Sequence, residues 1–143
     1  MENTKMQNNA DLPAGAPIAP SPAGDIKCID FAQAMKIVNN NTKLYLRLLE
    51  RFSNNDMISP FFECINKKDV VAAEAAAHAI KGVSANLSLT GLTKIFTAID
   101  NLLKTGAMPT EAEITEARQA YDEAISVIKA LISNPEMLER LVK

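Results

Sequence analysis

Apolar side chains from residue 28 onward recur at the three- and four-residue spacing of amphipathic helices, and no segment shows a sustained period of two. Asp30 is predicted to cap a short helix over residues 31–38, and apolar positions 44, 45, 48, 49 and 52 mark a second helix. Apolar positions 61, 62 and 65 mark a short third helix behind Pro60. Asparagine-rich clusters at 39–41 and 54–56 separate these helices.

Longer periodic segments follow in the second half of the chain. A long helix capped by Asp69 is predicted to run to about residue 87, and the next, capped by Thr90, to end at Gly106. Thr110 and Glu113 have the spacing of a capping box, which opens a helix that stops before residue 135. A short helix over 136–142 follows it.

Four predicted helices of about 14 to 25 residues with short connections favour an all-α fold, an antiparallel four-helix bundle with short N-terminal helices across one end. Residues 28–143 are therefore assigned to one bundle. Residues 1–27 differ, because four of the seven prolines lie between residues 10 and 24, and proline fixes φ and removes a backbone donor. This segment is predicted to be a disordered Pro/Ala-rich leader, with a tether to another domain as the alternative.

Composition argues against several functions. Lys and Arg total 15 against 17 Asp and Glu, aromatic residues make up 5%, and there is no Trp, so neither a basic patch nor a stacking platform for nucleic acid is expected. The five glycines form no phosphate-binding loop. Cys28 and Cys64 are expected to be free thiols of a reducing compartment, and two Cys with one His fall short of a zinc site.

The chain also shows no sign of membrane insertion or secretion. No run of about 18 apolar residues predicts a membrane span. The N-terminus lacks the apolar segment of a secretory signal. We therefore expect a cytoplasmic protein, with a monomer as the default state.

His78 is the only histidine, and it lies on the helix capped by Asp69. At about 100° per residue, the predicted core side of this helix collects six residues, namely Ala73, Ala76, Ile80, Val83, Ser84 and Leu87. His78 points the opposite way. Six residues share its solvent side, namely Val71, Glu74, Ala75, Lys81, Gly82 and Ala85.

This face suits phosphoryl transfer through an imidazole. An unperturbed imidazole is largely neutral at pH 7, so one ring nitrogen has a lone pair that can attack a phosphoryl group in line. Lys81 lies one turn beyond His78 and would stabilise an anion attached to that ring. Because no metal-binding carboxylate cluster or nucleotide loop is evident, we expect a partner to supply the metal ion and the activated phosphate. The protein would then be a carrier and not an enzyme.

The surroundings of the histidine predict a docking surface. Gly82 stands in mid-helix, where glycine costs about 1 kcal/mol relative to Ala, and it leaves bare backbone near the ring. Small side chains at Ala75, Ala79 and Ala85, with Val71 one turn further, would let another protein approach.

Two other functions stay open on the residues alone. In a helical adaptor that only binds protein, the Ala-rich surface docks a partner and His78 is an incidental solvated side chain. A self-contained enzyme with a His–Asp pair ranks lower, because no second nucleophile, base or cleft is evident. Ser84 falls on the predicted core side, where a packing role is expected.

The sequence resembles the histidine-containing phosphotransfer (HPt) family over about residues 29–133. The segment from His78 to Gly82, followed by Ala85-Asn86-Leu87, is similar to the family's His-x-x-Lys-Gly helix. Residues 44–52 resemble a second family block, and residues 92–106 resemble the partner helix of the hairpin. The resemblance implies a four-helix bundle whose exposed histidine carries phosphate between receiver-domain aspartates in a two-component phosphorelay.

By this resemblance, His78 is the phosphorylated residue, Lys81 contacts the phosphate, and Gly82 gives the receiver room. Asp100 stands where the family usually has a Gln or Glu that binds the other ring nitrogen. Its shorter side chain leaves a direct contact, a water bridge and a solvated carboxylate as alternatives. Ser88 stands where the family commonly has Gly, and Ala79 replaces a commoner Ser or larger residue.

The resemblance also implies the partners. These are receiver domains of response regulators or a hybrid sensor histidine kinase, with Mg²⁺ on the receiver and no cofactor on this chain. Whether the protein is freestanding or a module of such a kinase stays open, as do the direction of phosphate flow and the identity of the cognate proteins.

Overall fold

The computed structural model of the protein describes residues 28–142, so the leader predicted for residues 1–27 lies outside the described residues. Within 28–142 the chain forms seven helices and no strand. The helices are α1 (Phe31–Ile37), α2 (Thr42–Asn54), α3 (Ile58–Asn66), α4 (Val70–Asn86), α5 (Thr90–Lys104), α6 (Glu111–Ser133) and α7 (Pro135–Leu141). No described helix has the length and apolarity that crossing a membrane requires.

Side-chain caps fix most of the helix starts. The carboxylates of Asp30 and Asp69 accept backbone N–H bonds in the first turns of α1 and α4, as predicted. Thr110 and Glu113 form the predicted capping box of α6. Asn41, in the predicted break, caps α2 by accepting from the backbone N–H of residue 44.

Two predicted helix starts need correction. Thr90 is not a cap: it is the first helical residue of α5, the cap position belongs to Leu89, and no side chain caps this end. The start of α3 lies two residues before Pro60, at Ile58. The Asp56 carboxylate accepts from the Ser59 backbone N–H at 3.1 Å and from its hydroxyl at 2.7 Å, which supports this first turn. Proline is tolerated there because a first-turn N–H has no intrahelical acceptor.

The fold is the predicted all-α, antiparallel four-helix bundle, with α2, α4, α5 and α6 as its long helices. α4 packs on α5, α5 on α6, and α6 on α2, while α3 covers α4 and the short helices α1 and α7 pack against α2. The Tyr45 hydroxyl on α2 donates to the Leu87 carbonyl at 2.6 Å, which ties α2 to the end of α4. Phe61 and Phe96 meet edge to face, with ring centroids 5.2 Å apart.

A tight connection holds α4 against α5. The Leu89 backbone N–H donates to the Ser84 carbonyl at 2.9 Å, and the Ser84 and Thr93 hydroxyls hydrogen-bond at 2.9 Å. Ser88 has a φ of 60°, in the left-handed region that favours glycine, and its buried hydroxyl has no hydrogen-bond partner within residues 28–142. This backbone conformation explains why the family that the sequence resembles commonly has Gly where this chain has Ser88.

The buried side of α4 consists mainly of small residues. Ala73, Ala77, Ile80 and Ser84 are buried in the helix. Ala77 was not among the predicted core positions, whereas Ala76 and Val83 were predicted to be buried and are only partly so. Small buried side chains allow two helices to pack closely. Close packing brings α5 near the side of α4 that carries His78.

Candidate functional site

His78 stands on the outer side of α4, as its helical position predicts, with 59% of its side chain exposed. Its Nδ1 atom lies 3.3 Å from the Oδ2 atom of Asp100 on α5. The ring is therefore held from the bundle side through one nitrogen. The side chain is mostly exposed, and its other nitrogen, Nε2, takes no part in this contact.

Asp100 is fully buried, with 0% of its side chain exposed. Of the three alternatives drawn from the sequence, the direct contact to His78 is the one the structure shows, and the solvated carboxylate and the water bridge are wrong. The close packing of α4 and α5 explains why the shorter side chain reaches the ring.

Two lysines share the carboxylate with the imidazole. The Nζ atom of Lys81 lies 3.0 Å from Asp100 Oδ2, and the Nζ atom of Lys104 lies 3.3 Å from the same oxygen. Lys81 extends from α4 one turn after His78, and Lys104 lies four residues after Asp100 on α5. The negative charge of Asp100 is thus balanced by one lysine from α4 and one from α5.

The pKa of Asp100 is held well below its usual range. Burial raises this pKa, but hydrogen bonds with Glu74, Lys81, His78 and Lys104 together outweigh it. Asp100 is therefore an ionised carboxylate at neutral pH, and an ionised carboxylate can only accept hydrogen bonds. In the neutral ring, the proton of His78 therefore lies on Nδ1, facing Asp100, and Nε2 carries the lone pair.

Glu74, one turn before His78 on α4, belongs to the same cluster. Ligand atoms of Glu74, His78 and Asp100 lie within 4.8 Å of one another. The pKa of Glu74 is raised, first by its hydrogen bond with Asp100 and then by desolvation and the charge of that carboxylate. The neighbouring Asp100 carboxylate therefore disfavours the ionised form of Glu74.

This cluster corrects the expectation that no metal-ligating carboxylates come together. An imidazole with two carboxylates is a donor set that a divalent transition metal accepts. However, the ammonium groups of Lys81 and Lys104 already contact Asp100 Oδ2. They balance the two carboxylates and oppose a further cation.

The predicted docking residues all lie on the exposed side of α4. We call Val71, Ala75, Ala79, Gly82 and Ala85 the docking face; all five are exposed, and Val71 has 80% of its surface accessible. A Cβ atom built on Gly82 would meet nothing within 4 Å. The face therefore combines small side chains near the histidine with one large exposed apolar residue, Val71, about two turns before it.

Ser84 takes no part in this site. Its hydroxyl donates to the Lys81 carbonyl at 3.0 Å and pairs with Thr93, so it serves the connection between α4 and α5. The packing role predicted for it is the one the structure shows, and the idea of a self-contained enzyme gains nothing from it.

Sequence reasoning missed two members of the cluster. It placed Glu74 on the side of His78 and Lys104 in the segment that resembles the family's partner helix, but it gave neither residue a role. Both lie at i,i+4 spacing from a residue that had been singled out, Glu74 before His78 and Lys104 after Asp100. That spacing is the signal that could have found them.

Comparison with known proteins identifies a family. The family model described as Hpt domain matches residues 44–134, which is more than half of the chain. The match includes His78 and the four charged residues described around it, namely Glu74, Lys81, Asp100 and Lys104. No match was found among curated proteins or among solved structures.

Proposed function

The chain belongs to the Hpt domain family, whose members pass phosphoryl groups through a histidine in phosphorelays, and we propose that His78 is the histidine that carries the phosphoryl group here. The observation that supports this assignment is the contact of His78 Nδ1 with the buried Asp100 carboxylate on an exposed ring, because this contact favours the neutral tautomer with its lone pair on Nε2. His78 is also the only histidine in the chain.

The proposed reaction is an exchange with an aspartyl phosphate on a receiver domain. The Nε2 lone pair attacks phosphorus in line, an N–P bond forms, and the P–O bond to the receiver's aspartate breaks. The leaving carboxylate stays on the receiver, and the reverse step returns the phosphoryl group. Mg²⁺ held by the receiver would supply charge stabilisation to the transferring group.

The residues around the ring take defined parts in this proposal. Asp100 accepts a hydrogen bond from Nδ1–H and stabilises the positive charge that develops on the imidazole as Nε2 forms its bond. Lys81, whose Nζ lies within the same cluster, contacts the phosphoryl oxygens. The docking face receives the partner, a response regulator or the receiver of a hybrid sensor kinase, and Gly82 lets its backbone approach.

The direct test is phosphoryl transfer from purified receiver domains. The protein is incubated with a panel of receivers carrying radiolabelled aspartyl phosphate, and label should move to it in an acid-labile, base-stable form. His78→Gln should abolish this label, whereas Asn86→Gln, an exposed change on the same helix, should leave it intact.

Two results would contradict the proposal. Label that persists in His78→Gln would place the phosphoryl group elsewhere. Binding to a receiver without any transfer, unaffected by His78→Gln and blocked by Gly82→Leu, would favour the adaptor that only docks protein.

A further inference from the structure

One oxygen of Asp100 has more donors than it can bind well. Oδ2 lies 3.3 Å from His78 Nδ1, 3.0 Å from Lys81 Nζ and 3.3 Å from Lys104 Nζ. A carboxylate oxygen has about two lone-pair directions, so these three donors compete for it, and the Glu74 carboxyl is hydrogen-bonded to the same carboxylate. Within residues 28–142 the other oxygen, Oδ1, is buried without a hydrogen-bond partner. The loss of one donor from Oδ2 therefore costs less than a full hydrogen bond.

Phosphorylation of His78 adds a second anionic group that competes with Asp100 for Lys81. A phosphoryl group on Nε2 adds negative charge next to Lys81, which the proposed function assigns to the phosphoryl oxygens. When Lys81 turns to them, it leaves Asp100. If no other cation contacted Asp100, its buried carboxylate would lose the charge partner that favours the ionised form. A protonated Asp100 would no longer hold the Nδ1 proton of the ring.

Lys104 is the group that can prevent this. Its ammonium reaches Asp100 from α5 itself, four residues along the same helix. Its side chain is 52% exposed, against 25% for Lys81, and it extends from the helix opposite to the one that carries the histidine. Because Lys104 and Asp100 are an i,i+4 pair on one helix, their contact does not depend on where the Lys81 side chain of α4 turns.

We propose that Lys104 is a positioning residue that acts through Asp100: it keeps this carboxylate ionised and aligned on His78 Nδ1 while Lys81 holds the phosphoryl group. This inference rests on the proposed function of His78. It gives the two lysines separate tasks, one for the phosphoryl group and one for the carboxylate behind the ring.

The experiment compares Lys104→Gln with Lys104→Arg and with Lys94→Gln. Lys94 is an exposed lysine on the same helix, so its variant matches the loss of charge away from the site. Lys104→Gln should slow phosphoryl transfer from a phosphorylated receiver by about tenfold, the lower end of losses on removing an outer partner of a functional imidazole. Lys104→Arg should retain the rate, and Lys94→Gln should match the unsubstituted protein.

A second readout needs no phosphoryl donor. Lys81→Ala imitates the state in which Lys81 has left Asp100, and ¹⁵N chemical shifts of the His78 ring report which nitrogen carries the proton. Adding Lys104→Gln to this variant should shift the ring from the Nδ1–H form towards the Nε2–H form, and adding Lys104→Arg should not. Thermal unfolding of each variant confirms that the bundle is intact.

The outcomes separate this inference from the proposed function. A rate loss in Lys104→Gln with an unchanged ring tautomer would overturn the inference, because Lys104 would then touch the phosphoryl group or the partner directly. Equal rates in Lys104→Gln and Lys94→Gln would overturn it as well. If no receiver transfers label even to the unsubstituted protein, the proposed function fails. In that case the tautomer measurement still decides whether Lys104 positions Asp100.

Discussion

Gly82→Ala separates the stability of α4 from access to His78. Gly82 is exposed in mid-helix, four residues after the histidine, and an added Cβ would meet nothing within 4 Å. The methyl group therefore brings the helix propensity of alanine without a steric cost inside the domain. The gain is about 1 kcal/mol, which for a domain of this size raises the thermal midpoint by roughly 4 °C.

The same methyl group should weaken transfer, because it stands on the docking face. Calorimetry would measure the midpoint, and transfer from a phosphorylated receiver would be followed over a range of receiver concentrations. We expect a lower rate at low receiver concentration and little change at saturation, since docking and not chemistry is affected. Gly91→Ala is the control: its Cβ would lie 3.6 Å from Cys28 Cβ, an ordinary contact away from the docking face.

Either of two results would refute this reasoning. A fall in the midpoint of Gly82→Ala would mean that the space beside Gly82 is not free. A raised midpoint with unchanged transfer at every receiver concentration would mean that the glycine does not serve access.

The remaining predictions concern titration and thiol reactivity. Because the pKa of Asp100 is depressed, its carboxylate stabilises the fold above about pH 4, and this contribution is lost as the pH falls. Asp100→Asn should therefore lower the thermal midpoint at pH 7, and the midpoints of the variant and the unsubstituted protein should converge in acid. A difference in midpoint that does not change with pH would contradict this. The pKa of Glu74 is raised, so its contribution has the opposite sign and is lost as the pH rises, and Glu74→Gln should not lower the midpoint at pH 7. Burial raises the pKa of Cys28 to about 11, so iodoacetamide at pH 8 should modify Cys64 first, and equal rates would disprove this.

The sequence predicted the helices well where local chemistry decides their bounds. Asp30, Asp69 and the Thr110–Glu113 pair cap helices as expected, because a capping side chain acts within its own first turn. The prediction that Thr90 caps α5 was wrong because no side chain within the first turn sets this helix start. The start of α5 is set by the buried Leu89 and the left-handed Ser88, which are parts of a tertiary connection that no local pattern encodes.

Helical periodicity also placed His78, Lys81 and Gly82 on one exposed side of α4. Periodicity could not predict how far the Asp100 side chain is buried, because the rotation of α5 relative to α4 depends on how the two helices pack. The family resemblance pointed to the right residue, and the packing supplied the contact. Lys104 was missed because its role exists only once Asp100 is known to be buried.

The connection between α4 and α5 constrains how the protein can be engineered. Residues 87–89 form the whole connection, and the Leu89 backbone N–H within it donates to the Ser84 carbonyl. One insertion there would disrupt this bond and the packing that brings Asp100 to the imidazole, even if a helical bundle still formed. Fluorescent reporters or affinity tags should therefore be grafted into residues 106–109, in the longer loop that precedes the Thr110 cap of α6.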